Sequence, residues 1–202
     1  MKRRRILVLA AALLILALSS CSSKPESVKK TVYAMDTVIS LEAYGKGAQA
    51  ALDEAAERIN YLDDLLSATK EDSEVAKINN SAGSYVPVTD TVKKQLETAL
   101  EVSRRSEGAF DISVLPLVKL WGFGTENAHV PAPAEIEEAL GYVNYSKIEL
   151  NGSSVKLGEG MSITLGAIAK GYASQELSDM LKSRGIESAI LSLGGNVQAV
   201  GS

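Results

Sequence analysis

Between residues 38 and 44 the chain alternates, with Ile39, Leu41 and Ala43 apolar and Ser40 and Glu42 polar, which is the period of a half-buried strand. Gly45 and Gly47 end it. The spacing then becomes helical: Ala51, Leu52, Ala55, Ile59, Leu62 and Leu66 fall on one side, and Asp53, Glu54, Glu57, Arg58 and Asp63 on the other. A short helix is predicted from Ser73 to Asn79 and a short strand from Tyr85 to Val88. Thr89 or Asp90 can cap a helix carrying Val92, Leu96, Ala99 and Leu100, and Gly108 is placed to stop it. Pro131-Ala132-Pro133 leads into a helix with Ile136 and Leu140, and Asn151-Gly152 between two alternating segments signals a hairpin. Ile168 to Ser183 reads as a helix with Gly185 at its end, followed by a buried strand, Ala189 to Leu193, that runs into Gly194-Gly195. Helices and strands mix without a βαβ beat, so the expected class is α+β with a mixed or antiparallel sheet and packed helices.

The first residues follow a different rule. Lys2, Arg3, Arg4 and Arg5 precede an unbroken apolar stretch from Ile6 to Leu18 and then Ser19 and Ser20, the order of a secretory signal. The stretch is short for a bilayer, which needs about 20 apolar residues. Leu18-Ser19-Ser20-Cys21 looks like a lipobox, in which the Cys21 thiol takes a lipid before cleavage; the plainer alternative is an ordinary signal peptide with a cysteine nearby. Cys21 is the only cysteine, so no intramolecular disulfide can form. The expected organisation is a signal over residues 1–20, a polar tether over 21–30 and one domain over 31–202. A lipid-anchored protein on the extracytoplasmic side of a membrane follows. Removing residues 1–20, which carry four basic and no acidic groups, takes the formal charge from −4 to about −8. That sign offers no electrostatic footprint for nucleic acid.

Candidate chemistry narrows by exclusion first. Neither G-x-G-x-x-G after a strand nor G-x-x-x-x-G-K-[ST] occurs, and the only histidine, His129, sits in a loop-like stretch beside Pro131. Chemistry that needs paired histidines is disfavoured. Three segments stand out. In Met161 to Tyr172, a strand-like end passes through Gly166 into a helix with Lys170 in its first turn; open N–H groups beside a lysine make an anion site, or else a plain helix start. Thr164 can cap this helix or meet a ligand hydroxyl. Gly194-Gly195-Asn196 follows an apolar strand, as an ordinary turn or a place of close backbone approach. Gly108 to Asp111 precedes Leu115 to Gly124, where Asp111 can be a cap and Trp121 and Phe123 core residues.

The order of these pieces resembles the ApbE family of flavin transferases across residues 31–202. The matching blocks are Met35-Asp36-Thr37, Leu66-Ser67 with Asp72-Ser73-Glu74 and Ile78-Asn79, Gly108 to Ser113, Leu115 to Gly124, Leu165 to Tyr172, and Leu193 to Asn196. The resemblance implies a T-fold-like domain that takes FMN from FAD to a threonine hydroxyl of an exported acceptor flavoprotein, with AMP leaving and Mg²⁺ assisting. It implies FAD contacts at Met35, Thr69, Ala109, Phe110, Asp111, Thr164 and Lys170, and a metal contact at the Ala167 carbonyl. Many members have a tyrosine at the Thr69 position and an aspartate at the Thr164 position. No catalytic base is assigned. Members of the family continue past the Gly-Gly-Asn block with further metal ligands, so a partial chain that does not transfer FMN is the expectation for a product ending at Ser202. The other readings kept open are a flavin-binding lipoprotein without transferase activity and a solute-binding lipoprotein, which would show two similar lobes.

Overall fold

A computed structural model describes residues 26–201 of the 202-residue chain. The signal, the lipobox with Cys21 and the first part of the tether lie outside the described residues. Strands β1 (Ser27–Ala34) and β2 (Thr37–Tyr44) form an antiparallel hairpin with Ala34 opposite Thr37. Order was expected from Thr31, but β1 starts at Ser27, because Ser27 to Lys30 lie opposite Tyr44 to Leu41. Backbone pairing of that kind leaves no apolar signature in a polar stretch. The two turn residues, Met35 (φ 53°) and Asp36 (φ 56°), are both left-handed without being glycine. Such a turn suits the twist of a hairpin but stores strain, and the Met35 N–H donates to Asp63 Oδ1 at 2.9 Å to hold it.

Helix α1 (Ala48–Leu66) follows, with every one of its expected apolar positions buried. After it come α2 (Glu74–Asn79), capped by Ser73, the two-residue strand β3 (Val86–Pro87) and α3 (Asp90–Arg105), capped by Thr89. α3 stops at Arg105, three residues before Gly108, whose N–H reaches back to the Ser103 carbonyl at 2.9 Å. A 3₁₀ turn (Ile112–Val114) leads into α4 (Leu115–Trp121), and α5 (Pro133–Leu140) lies beyond. A second 3₁₀ turn (Tyr145–Lys147) precedes β4 (Glu149–Asn151) and β5 (Ser154–Lys156), joined through Gly152 at φ 60°. Helix α6 (Gly166–Ser183) and the hairpin of β6 (Ser188–Leu193) and β7 (Asn196–Val200) complete the described chain.

The main sheet has the order β1-β2-β6-β7 and is antiparallel throughout; a smaller antiparallel sheet has the order β3-β5-β4. This is the α+β class with an antiparallel sheet and packed helices that the pattern predicts. Ile39, Leu41, Leu191 and Leu193 turn one face of the main sheet inward, onto Leu52, Ile59 and Leu62 of α1 and Ala173, Leu177 and Leu181 of α6. Arg58 Nε donates to Glu176 Oε1 at 2.5 Å and fastens α1 to α6. These two helices and the two hairpin turns therefore have fixed positions, and the cleft described next lies where they meet.

Candidate functional site

Where these elements meet lies a cleft of about 530 Å³, a size suited to a small-molecule ligand. One wall is the strained turn Met35-Asp36 with Thr37. Asp63 and Leu66 at the end of α1, with Ser67, Ala68 and Thr69, make the next wall. Leu115 and Val118 of α4 and Phe123 just beyond it face them. Thr164, Gly166, Ala169 and Lys170 bring the start of α6, and Gly194 of the β6–β7 turn closes the circuit.

The rim after α1 is built from its own polar groups. Ser67 Oγ accepts from the N–H groups of Thr69 and Lys70, both at 3.1 Å, and Ser73 Oγ donates to the Ser67 carbonyl at 2.5 Å. Lys70 Nζ reaches Asp63 and Asp64, each at 2.6 Å. These contacts, the hydrogen bond to Asp63 first and that to Asp64 next, raise the Lys70 ammonium above the ordinary lysine value of 10.5. Asp63 thus carries the hairpin turn on one oxygen and the rim lysine on the other.

The approach to α6 is held from two sides. Asn79 Nδ2 donates to the Ile163 carbonyl at 2.9 Å while Asn79 Oδ1 accepts from the Ile163 N–H at 2.7 Å. The next N–H, of Thr164, donates to the Ile112 carbonyl at 2.9 Å. Residues 161–165 are therefore held without forming a strand, since a side chain and a single loop carbonyl take the place of a neighbouring strand. α6 begins at Gly166, two residues earlier than expected, so Lys170 lies one turn in. The Thr164 hydroxyl accepts from the Gly166 N–H at 3.2 Å, although the N-cap position itself is Leu165 and carries no capping side chain. Partial positive charge at a helix start beside a lysine favours an anionic ligand group. Among the described residues Lys170 forms no ion pair, which leaves its ammonium available.

The residues named from the sequence divide in the structure. Met35, Thr69, Thr164 and Lys170 share the cleft wall. Ala109, Phe110 and Asp111 do not line it: Ala109 is exposed, Phe110 packs against the core, and the Asp111 carboxylate is bonded internally. Asp111 Oδ1 accepts from the Ser113 N–H and hydroxyl at 2.8 and 2.6 Å, and its Oδ2 from the Tyr145 N–H at 2.9 Å. Ala167 does not line the cleft but borders an adjoining depression of about 470 Å³ with Gln95, Thr98, Lys170 and Asn196. Its carbonyl is one oxygen in the first turn of a helix. No group of three His, Cys, Asp or Glu side chains that could hold a metal occurs among the described residues. Mg²⁺ wants near-octahedral oxygen ligands, so these residues do not by themselves make a site for it. Trp121 and Phe123 are not core either; Phe123 is 65% exposed. His129 is exposed, as expected. Sequence reasoning missed Asp63, whose signal was only a polar residue on the outer side of α1, and did not single out Asn79 as a clamp.

Comparison with known proteins gives a consistent picture. The ApbE family profile matches residues 35–202. The chain is 35% identical over 161 residues to a FAD:protein FMN transferase of Treponema pallidum, covering 75% of this chain and 44% of that protein. It is 34% identical over 171 residues to one of Klebsiella pneumoniae, covering 83% and 54%. The crystal structure of the ApbE protein from Thermotoga maritima superimposes with a TM-score of 0.82 at 29% identity, over 87% of this chain and 59% of that one. The chain thus spans about half the length of the curated relatives it matches.

Proposed function

The chain belongs to the ApbE family, and on that premise we propose that the protein is a flavin transferase that binds FAD in the cleft at the start of α6 and moves its FMN part onto an acceptor protein. The observation that carries this reading is the meeting of Met35, Thr69, Thr164 and Lys170 around one cleft of about 530 Å³. In the reaction a threonine oxygen of the acceptor attacks the FMN-side phosphorus of FAD. A new P–O bond forms, the bond to the bridging oxygen breaks, AMP leaves with that oxygen, and the hydroxyl proton passes to a general base. Phosphoryl transfer of this kind depends mainly on positioning and charge stabilisation. The α6 start and Lys170 supply both, by orienting the pyrophosphate and offsetting charge that grows on its oxygens. The family resemblance implies Mg²⁺ as well, and the described residues do not by themselves form its site.

The acceptors are proposed to be exported flavoproteins of redox complexes, and the protein itself to be exported and held at the extracytoplasmic face by a lipid on Cys21. No described helix is long and apolar enough to cross a membrane. A second reading, flavin binding without transfer, is favoured by one observation, the lack of a metal-holding cluster among the described residues. The test separates the two. Purified protein is incubated with FAD, Mg²⁺ and an exported acceptor, and the acceptor is inspected for covalent flavin fluorescence in a denaturing gel. A fluorescent acceptor band and released AMP support transfer. FAD bound but no band supports the second reading and overturns the first.

A further inference from the structure

The loop after α4 is constructed around a residue that the fold leaves uncovered. Gly122 ends α4 at φ 63°, and a Cβ there would stand 2.8 Å from the Asn127 carbonyl oxygen, so the loop closes only over glycine. Thr125 secures the closure: its N–H and hydroxyl both donate to the Gly122 carbonyl, at 3.0 and 2.8 Å, and its hydroxyl oxygen accepts from the Asn127 N–H at 3.2 Å. The His129 N–H then returns to the Trp121 carbonyl at 3.2 Å. What this ring of bonds presents is Phe123, 65% exposed in a chain that has only two phenylalanines and one tryptophan. The Phe123 ring is parallel to that of Trp121, with centroids 5.7 Å apart and 4° between the planes. It lines the same cleft as Thr164, Gly166 and Lys170.

A core role would bury the ring, and a loop with no role would not hold it in register with a tryptophan. We propose that Phe123, backed by Trp121, is a stacking platform for a planar heteroaromatic ring of the dinucleotide whose pyrophosphate meets the start of α6. This rests on the reading of the cleft as a FAD site and adds a subsite to it. A flat apolar ring in an otherwise mixed cleft recognises a π-face with little regard to its polar edge. Both the isoalloxazine and the adenine of FAD have one, so the ligand fragments decide between them.

The experiment is titration of the protein and its Phe123→Ala and Phe123→Leu variants with FAD, riboflavin and ADP. Phe123→Ala is expected to weaken FAD roughly five- to a hundredfold, and Phe123→Leu, which keeps apolar bulk without the π-face, to recover only part of the loss. Selective weakening of riboflavin assigns the platform to the flavin ring, and selective weakening of ADP assigns it to adenine. Since Phe123 is exposed, unchanged thermal unfolding of both variants is expected. Unaltered FAD affinity in Phe123→Ala, full recovery in Phe123→Leu, or loss for FAD with neither fragment affected overturns the platform while leaving the FAD site standing. Failure of the unaltered protein to bind FAD overturns both.

Discussion

Both polar atoms of the Asn79 side chain are committed to the backbone of Ile163, a residue with no exposed surface. Asn79→Ala leaves that N–H and C=O without partners, and a loss of about 2–4 kcal/mol is expected in urea unfolding. Lys170 makes the opposite case, since it has no ion pair among the described residues and lines the cleft. Lys170→Ala should leave stability nearly unchanged and weaken FAD by roughly tenfold to over a hundredfold, as measured by titration. Lys70 supplies the pH dependence. Its folded-state pKa is raised by Asp63 and Asp64, so its tie contributes stability that is fully present below the unfolded lysine value. That contribution is lost as pH rises through the raised folded value. Lys70→Met should therefore lack this part of the alkaline loss in urea midpoint measured against pH. Of these residues only Lys170 was singled out from the sequence, because a lysine near a glycine at a helix start is a local pattern. Asn79 and Asp63 act on partners 84 and 28 residues away, and no local spacing records that.

At the scale of elements, α1 was legible because its apolar positions recur with helical period and all are buried. Ile59→Ala, at a site without exposed surface, should cost about 2–5 kcal/mol in chemical unfolding. The Asn151-Gly152 hairpin and the Gly194-Gly195 turn were legible through turn chemistry. The segment before α6 was not, since Met161 to Leu165 alternates like a strand and yet is held by Asn79 and by the Ile112 carbonyl. Nor was the start of β1, whose lysines pair with β2 through the backbone and reach Glu42 and Asp53 with their ammonium groups, contacts that leave no apolar period. The β6–β7 turn matters to the cleft as well as to the sheet: a Cβ at Gly194 would stand 2.7 Å from both Thr37 Cγ2 and Thr37 Oγ1, at φ 55°. Gly194→Ala should therefore lower the unfolding midpoint and weaken FAD together, in contrast to Lys170→Ala, which affects binding alone.

Over the whole molecule, the family and its α+β class were legible from six short blocks in order, whereas the contacts of individual residues were only partly so. Asp111 was named for its place in a block, and in the structure its carboxylate holds the Ile112–Val114 turn to Tyr145. The outer face of the main sheet carries Tyr33, Val38, Ile190 and Val197, each between 45% and 75% exposed. Apolar surface of that kind favours association, so light scattering should rise with protein concentration and fall in Val197→Lys. Cys21→Ser should release the protein from membranes on fractionation if the proposed lipid anchor is real; retention would remove the anchor from the account. The central claim concerns the cleft, and a crystal structure with FAD bound tests it most directly. The account predicts the pyrophosphate at the start of α6, within hydrogen-bond distance of the Lys170 ammonium, with Met35 and Thr69 against the ligand. FAD density elsewhere on the molecule, with this cleft empty, would contradict it.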